Sequence, residues 1–156
     1  MNNNLDINYM KLALSEAKLA FKNNEIPIGC VIVTKDGEIF KSHNKKEKDF
    51  DPTSHAEINA IRKACKKLKT KFLDGATIYV TVEPCLMCAS TINEARISRL
   101  VYGAKETKFG AIASKINIYD LYRSNHTVFV TGGILESDAQ KLMTDFFEMK
   151  RQKLKN

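Results

Sequence analysis

The sequence holds no apolar run long enough to cross a bilayer. Its longest near-apolar stretch, Ile28-Gly29-Cys30-Val31-Ile32-Val33, is far below the about 20 residues that a spanning helix needs. The start, Met1-Asn2-Asn3-Asn4-Leu5-Asp6, lacks the basic region and apolar stretch of a secretion signal. Repeats, low-complexity tracts and linkers rich in Gly, Ser or Pro are also missing, so residues 1–156 are expected to form a single domain. From these absences the chain is expected in the cytoplasm and away from membranes. There its four cysteines, Cys30, Cys65, Cys85 and Cys88, are expected as reduced thiols or metal ligands rather than disulfides. Disorder is excluded by composition, with 44% hydrophobic and 28% charged residues. Acidic residues are the scarcer sign, 18 against 25 Lys and Arg, and the net charge of +7 suits a polyanionic partner or simply a soluble surface.

Periodicity then orders the chain. Met10, Ala13, Leu14, Ala17, Ala20 and Phe21 share one face of a helix predicted over residues 5–24. A buried strand over 27–33 and the Asp36-Gly37 turn predict an antiparallel return through Ile39 to His43. Residues 44–53 read as a loop, and a second helix starts at Ser54 or His55 with Ile58, Ile61, Cys65 and Leu68 on one face. Thr77–Val82, a helix over about Cys85–Ala95 and Ser98–Tyr102 form a crossover unit whose strands should be parallel. Residues 104–126 read as irregular, with a short helix near 114–122, and Thr127–Thr131 as a fifth strand. Ser137-Asp138-Ala139-Gln140 has a capping-box pattern that would open a last helix with a buried stripe of Ala139, Leu142, Met143, Phe146 and Met149. The expected architecture is α/β: a three-layer α/β/α sandwich around a mixed five-stranded sheet.

Two motifs carry chemistry, His55-Ala56-Glu57 and Pro84-Cys85-Leu86-Met87-Cys88, and each opens a predicted helix. Spacing i, i+3 puts both sulfurs on one face of a first turn, where the helix's partial positive charge favours thiolate. Two thiolates and an imidazole suit zinc, and three protein ligands leave a fourth tetrahedral position for water, as catalytic sites do. Because two thiolates cancel the dication's charge, a nearby base is needed to take that water's proton, and Glu57 is the candidate. Ser54-His55-Ala56-Glu57 is at the same time a capping box, in which Glu57 would only satisfy the Ser54 amide. A redox pair for the two cysteines and a structural four-ligand zinc are the alternatives, although no other Cys or His has finger-like spacing.

At these residues the sequence resembles the zinc-dependent cytidine/deoxycytidylate deaminase superfamily, whose signature is H-x-E with P-C-x-x-C. It is more similar to the bacterial tRNA-specific adenosine deaminases, which convert adenosine to inosine at the wobble position of a tRNA anticodon. The resemblance runs from about residue 9 to 153. It includes Glu25-Ile26-Pro27-Ile28-Gly29, His43-Asn44, Asp51-Pro52-Thr53-Ser54, Tyr79 to Ala89, Val101-Tyr102-Gly103-Ala104 and the Phe146-Phe147-x-Met149-Lys150-Arg151 helix. It implies a cytidine-deaminase-like fold and one Zn2+ per chain on His55, Cys85 and Cys88. It also implies a zinc-activated water with Glu57 as proton shuttle, and a homodimer. Asn44 and Glu25 would lie on the substrate side, Asn44 against a flipped nucleotide, with Glu106 and Lys108 in a loop that meets RNA. The chain departs from the family in carrying Glu106 where Asp is usual and in lacking a Gly often found before Ser114.

Two basic surfaces remain. Arg62, Lys63, Lys66, Lys67, Lys69 and Lys71 have no acidic neighbour in that stretch, which fits a solvated helix face or a polyanion. At the C-terminus Phe147 falls off the buried stripe beside Lys150, Arg151 and Lys153, a pairing suited to base stacking and phosphate contact or to packing. The expected partner is a tRNA anticodon stem-loop. The competing functions are deamination of a free base or nucleoside, guanine or cytosine, and a non-catalytic zinc-stabilised RNA-binding module. The basic C-terminal helix argues against the first, and Glu57 with the missing fourth ligand against the second.

Overall fold

Alternation along the strands decides the layers. Cys30, Ile32, Ile78, Val80, Leu100 and Tyr102 join Ala56, Ala60, Ile61, Ala89 and Ile92 in one buried cluster, while their neighbours Val31, Tyr79 and Val101 meet Met10 and Ala13 in another. Successive side chains therefore feed opposite faces of one sheet, the period of two that pleated strands impose.

The computed structural model describes residues 3–156. Its elements are α1 (Asn3–Lys22), β1 (Gly29–Val33), β2 (Ile39–His43), α2 (Lys46–Asp49), α3 (Ala56–Leu68) and β3 (Thr77–Val82). They continue with α4 (Leu86–Glu94), β4 (Arg99–Ala104), α5 (Ile118–Leu121), β5 (Phe129–Thr131) and α6 (Glu136–Lys155). The sheet order is β2-β1-β3-β4-β5. β1 is antiparallel to β2 and β3, with Gly29 opposite His43 and Cys30 opposite Val80. The β3-α4-β4 crossover makes β3 and β4 parallel, and β5 continues parallel to β4. Helices α1 and α6 cover one face and α3 and α4 the other, so the expected α/β/α sandwich with a mixed five-stranded sheet is what forms. A Cβ at Gly29 would run into the α1 backbone at Ala13, so a bare glycine lets helix and strand touch.

A charged clamp fastens α1. Arg99 on β4 donates to both carboxylate oxygens of Asp6 at 2.8 and 2.7 Å, the Tyr79 hydroxyl donates to Asp6 at 3.0 Å, and Arg99 also reaches Thr131 Oγ1. The Arg99 guanidinium holds the Asp6 carboxyl below the usual carboxylate range.

Two local expectations fail. Residues 44–53 are not all loop, because α2 forms there without any local side-chain cap. Its first amides are satisfied from a distance: the Glu25 carboxylate accepts from Glu47 N at 3.0 Å and Lys48 N at 2.9 Å. The capping box at Ser137 does not form either. Leu135, at φ 54°, is the N-cap of α6 and no side chain caps it. The Gly133 bend and the bond from Ile134 N to the Tyr102 carbonyl deliver the chain so that the helix is under way before Ser137. Along α6, Ala139, Met143 and Phe146 are buried, Leu142 and Met149 half-buried.

Candidate active site

Parallel strands leave their carboxyl ends facing one crevice, where open α/β sheets collect their ligands. Here β3 runs into Glu83-Pro84 and then α4, while β2 ends at His43 and the chain passes through Asn44, α2 and the 51–54 turn into α3. The chemistry-bearing motifs sit at these two helix starts. His55 is the N-cap of α3 and Cys85 of α4, both with extended backbone and neither using its side chain as a cap. Their side chains are thus free for another partner.

His55 is set by a network around the Asp51-Pro52-Thr53-Ser54 turn. Asp51 Oδ1 accepts from the Thr53 amide and hydroxyl, both at 2.8 Å, and those bonds hold its carboxyl low. The Ser54 hydroxyl donates to Asp49 at 2.7 Å, and Asn59 Nδ2 ties Ser54 to the His43 carbonyl. Ser54 caps nothing, so the capping-box reading of Glu57 has no support in the geometry.

His55 Nδ1 lies 3.6 Å from Cys85 Sγ and 3.4 Å from Cys88 Sγ. Tetrahedral zinc, with bonds near 2.3 Å to sulfur and 2.0–2.1 Å to nitrogen, separates such atoms by about 3.6 Å. One ligand atom from each residue lies within 4.8 Å of the others, and among the described residues this is the one such cluster of three or more metal-ligating side chains. The donor set therefore fits zinc with no fourth protein ligand. Cys30 is fully buried in β1 and Cys65 half-buried on α3, and burial pushes both thiols up, as inert cysteines behave. Hydrogen bonding from Cys88, then from His55, draws Cys85 down to about 4, and Cys88, bonded to Cys85, is pushed up. His55 is raised, chiefly by its bond to Cys85.

Glu57 is 4% exposed and sits in the first turn of α3, with the Cys88 thiol against its carboxyl. Burial pushes its pKa up to about 7, where a carboxyl can both take and give a proton.

The remaining predicted residues line two adjoining cavities that share Ile26, Phe147 and Lys150. The larger, about 920 Å³, lies between the 105–109 loop and α6 and is lined by Glu106, Lys108, Phe109, Phe147 and Arg151 among others. The smaller, about 410 Å³, has Asn44, Glu25, Lys46 and Phe147 in its wall. Neither is lined by His55, Cys85 or Cys88; the groove walls are tied to the cluster through chain neighbours, Lys45 N bonding the Ser54 carbonyl and Gly110 pairing with Cys85. Asn44 is buried, its backbone N–H donating to the Ile28 carbonyl at 3.1 Å. Glu25 lines the groove with a carboxylate already engaged by α2. Phe147 is 41% exposed and stacks edge-on against Phe146, which Lys150 overlies.

Glu83 and Gly110 carry structure that sequence reasoning passed over. Glu83 is 3% exposed; burial pushes its carboxyl up, but donors from Ser114, Ala113 and Glu106 outweigh this and hold it below the usual range. The signal was available: an acidic residue directly after a buried strand and directly before the Pro84-Cys85 turn.

Residues 3–104 match the cytidine and deoxycytidylate deaminase zinc-binding region. The chain is 43% identical over 147 residues to the tRNA-specific adenosine deaminase of Aquifex aeolicus, covering 94% of this chain and 96% of that protein. A solved structure from work on A-to-I editing by tRNA:A34 deaminases at the wobble position of transfer RNA superposes with a TM-score of 0.83. It shares 43% identity over 86% of this chain and 98% of its own. A guanine deaminase from Bacillus subtilis is also similar, at 33% identity and a TM-score of 0.62, covering 81% of this chain and 88% of its own. The chain belongs to the zinc-dependent cytidine and deoxycytidylate deaminase family and, within it, to the tRNA-specific adenosine deaminases.

Proposed function

We propose that this chain, acting as one catalytic domain, deaminates adenosine to inosine at the wobble position of a tRNA anticodon. Adenosine and water give inosine and ammonia: a C6–O bond forms and the C6–N bond breaks. His55, Cys85 and Cys88 hold zinc, which when bound supplies a Lewis acid that activates water. Glu57 takes one proton from the attacking water and delivers it to the adenine ring, then takes the remaining proton of the new C6 hydroxyl and gives it to the departing amine, so that ammonia leaves as the C6 carbonyl forms. Buried beside the Cys88 thiol, its carboxyl is placed to relay protons within the site. The base reaches the site most readily from an unpaired loop, where unstacking costs least.

Asn44 holds the flipped nucleotide at the mouth of the site. Lys108 and Arg151 meet phosphates, Phe147 stacks a flanking base, and Glu106 shapes the loop by accepting from Lys108 N at 2.9 Å. A homodimer fits the large exposed side chains Leu86 on α4, Leu121 and Tyr122 at the end of α5 and Phe129 on β5, and sedimentation velocity tests it. Among the described residues no helix is long and apolar enough to cross a membrane, and a tRNA substrate puts the enzyme in the cytoplasm.

The observation that carries this reading is a three-donor metal site adjoining a groove lined by aromatics and cations. The test offers purified protein an adenosine-bearing anticodon stem-loop and, separately, free adenosine, guanine and cytosine. Inosine in the stem-loop alone is expected. Ammonia released from guanine alone would replace this reading with free-base deamination.

A further inference from the structure

Glu83 is a buried carboxylate among donors that all belong to one loop. Its Oε1 accepts from Glu106 N at 3.1 Å and from the Ser114 hydroxyl. Its Oε2 accepts from Ile112 N at 3.1 Å, Ala113 N at 2.8 Å and Ser114 N at 2.9 Å. No ion pair with Lys, Arg or His reaches it among the described residues. Its charge is balanced by amide dipoles arranged as an anion nest, here turned around an internal side chain. Each side of this contact needs the other, since buried amides require acceptors and a buried carboxylate requires donors.

The same loop is laced to the metal-ligand turn. Ala111 N donates to the Pro84 carbonyl at 2.9 Å, and Gly110 pairs with Cys85 as an isolated bridge. At Gly110 a Cβ would meet the Glu106 carbonyl and, at 2.5 Å, the Glu83 carboxylate, so the loop lies as close to Glu83 as a backbone can. Glu106, Lys108 and Phe109, the outer part of that loop, form one wall of the groove.

We propose that Glu83 is the positioning residue of the substrate-facing loop: its carboxylate fixes the 106–114 backbone against the Cys85 turn and so sets the groove that receives RNA. Glu83 belongs neither to the metal-ligand cluster nor to the lining of either cavity. It acts through the loop's backbone, two residues ahead of a metal ligand. The proposal rests on the reading that this groove takes the anticodon loop.

The test uses the zinc-loaded full chain with Glu83→Gln, Gly110→Ala and Ser114→Ala, and reads amide exchange, zinc content, KM and kcat on the stem-loop. In Glu83→Gln one acceptor becomes a donor aimed at amides. Exchange protection should vanish at Ile112, Ala113 and Ser114 while β3 and β4 stay protected. KM for the stem-loop should rise by about tenfold or more with kcat and zinc nearly unchanged. Gly110→Ala, which pushes the loop from the other side, should reproduce the KM rise, and Ser114→Ala should give a smaller one. A wild-type KM in both Glu83→Gln and Gly110→Ala overturns the proposal, as does a fall in kcat at unchanged KM. Should Glu83→Gln not fold, a wild-type KM in Gly110→Ala and Ser114→Ala overturns it. Phe147→Ala on the opposite wall separates the two levels. A wild-type KM there overturns the groove reading and the proposal with it, whereas a raised KM there with none in the loop variants overturns the proposal alone.

Discussion

The donor atoms of His55, Cys85 and Cys88 come from two helix starts and are aimed by their own backbone, each N-cap leaving its side chain free. The groove beside them is built from segments spread between Asn24 and Leu154, and its exposed side chains do not aim themselves. Two buried carboxylates shape it instead, Glu25 on the α2 amides and Glu83 on those of the 106–114 loop. Chemistry here is written in short motifs, whereas recognition depends on backbone held by distant acidic residues. The sharpest way to break this comparison is to find one variant that moves both regions at once.

The largest effect is expected at the cluster. Cys85→Ala removes one of three zinc donors, so metal content and deamination should both fall to background while stem-loop binding persists. Elemental analysis beside a binding assay checks this, and full zinc occupancy in the variant would end the three-ligand assignment. Glu57→Gln comes next. Losing a general acid/base should lower kcat by about 10²–10⁴-fold with zinc and KM retained. Had Glu57 been only a cap, the variant would lose about 1 kcal/mol of stability and turn over normally.

The cluster was legible because each motif lies within one or two helical turns. His55-x-Glu57 and Cys85-x-x-Cys88 specify their geometry locally, and strand alternation specified the sheet. What escaped was long-range. Nothing within residues 44–53 announces α2, since its capping carboxylate is Glu25, more than 20 residues earlier. Ser137 looks like a cap, yet the approach through Gly133 and Leu135 starts the helix first. Glu83 stood inside a quoted motif, but its donors lie 23 to 31 residues away.

The scaffold gives a third, smaller effect that should touch neither region. Asp6→Asn leaves Arg99, whose side chain is 15% exposed, without its anionic partner and should cost about 3 kcal/mol of stability. Because Arg99 holds Asp6 below the carboxylate range, the pair stabilises fully above the unfolded pKa of about 4 and fades as pH falls through the folded value. The variant should therefore show a shallower acid limb in urea unfolding below pH of about 4, with turnover per folded molecule unchanged. An altered kcat would tie the clamp to the site.

The smallest effects belong to the groove, and they should separate by salt dependence. Phe147 is 41% exposed on α6, and losing a stacked aromatic costs about 1–3 kcal/mol of binding with little change in the salt slope. Arg151, one turn further along the same helix, is exposed and pairs with no acidic side chain among the described residues. A phosphate contact there releases a counterion on binding, so Arg151→Ala should flatten the log-affinity against log-salt slope by about 0.7 on a single-stranded loop. At high salt the Arg151 variant should approach wild-type affinity while Phe147→Ala stays weak, because screening removes the first interaction and not the second. Stem-loop titrations at several salt concentrations measure both slopes. Equal slopes for Arg151→Ala and wild type would show that α6 presents its aromatic alone to the RNA, and would shift the phosphate contacts to Lys108 across the groove.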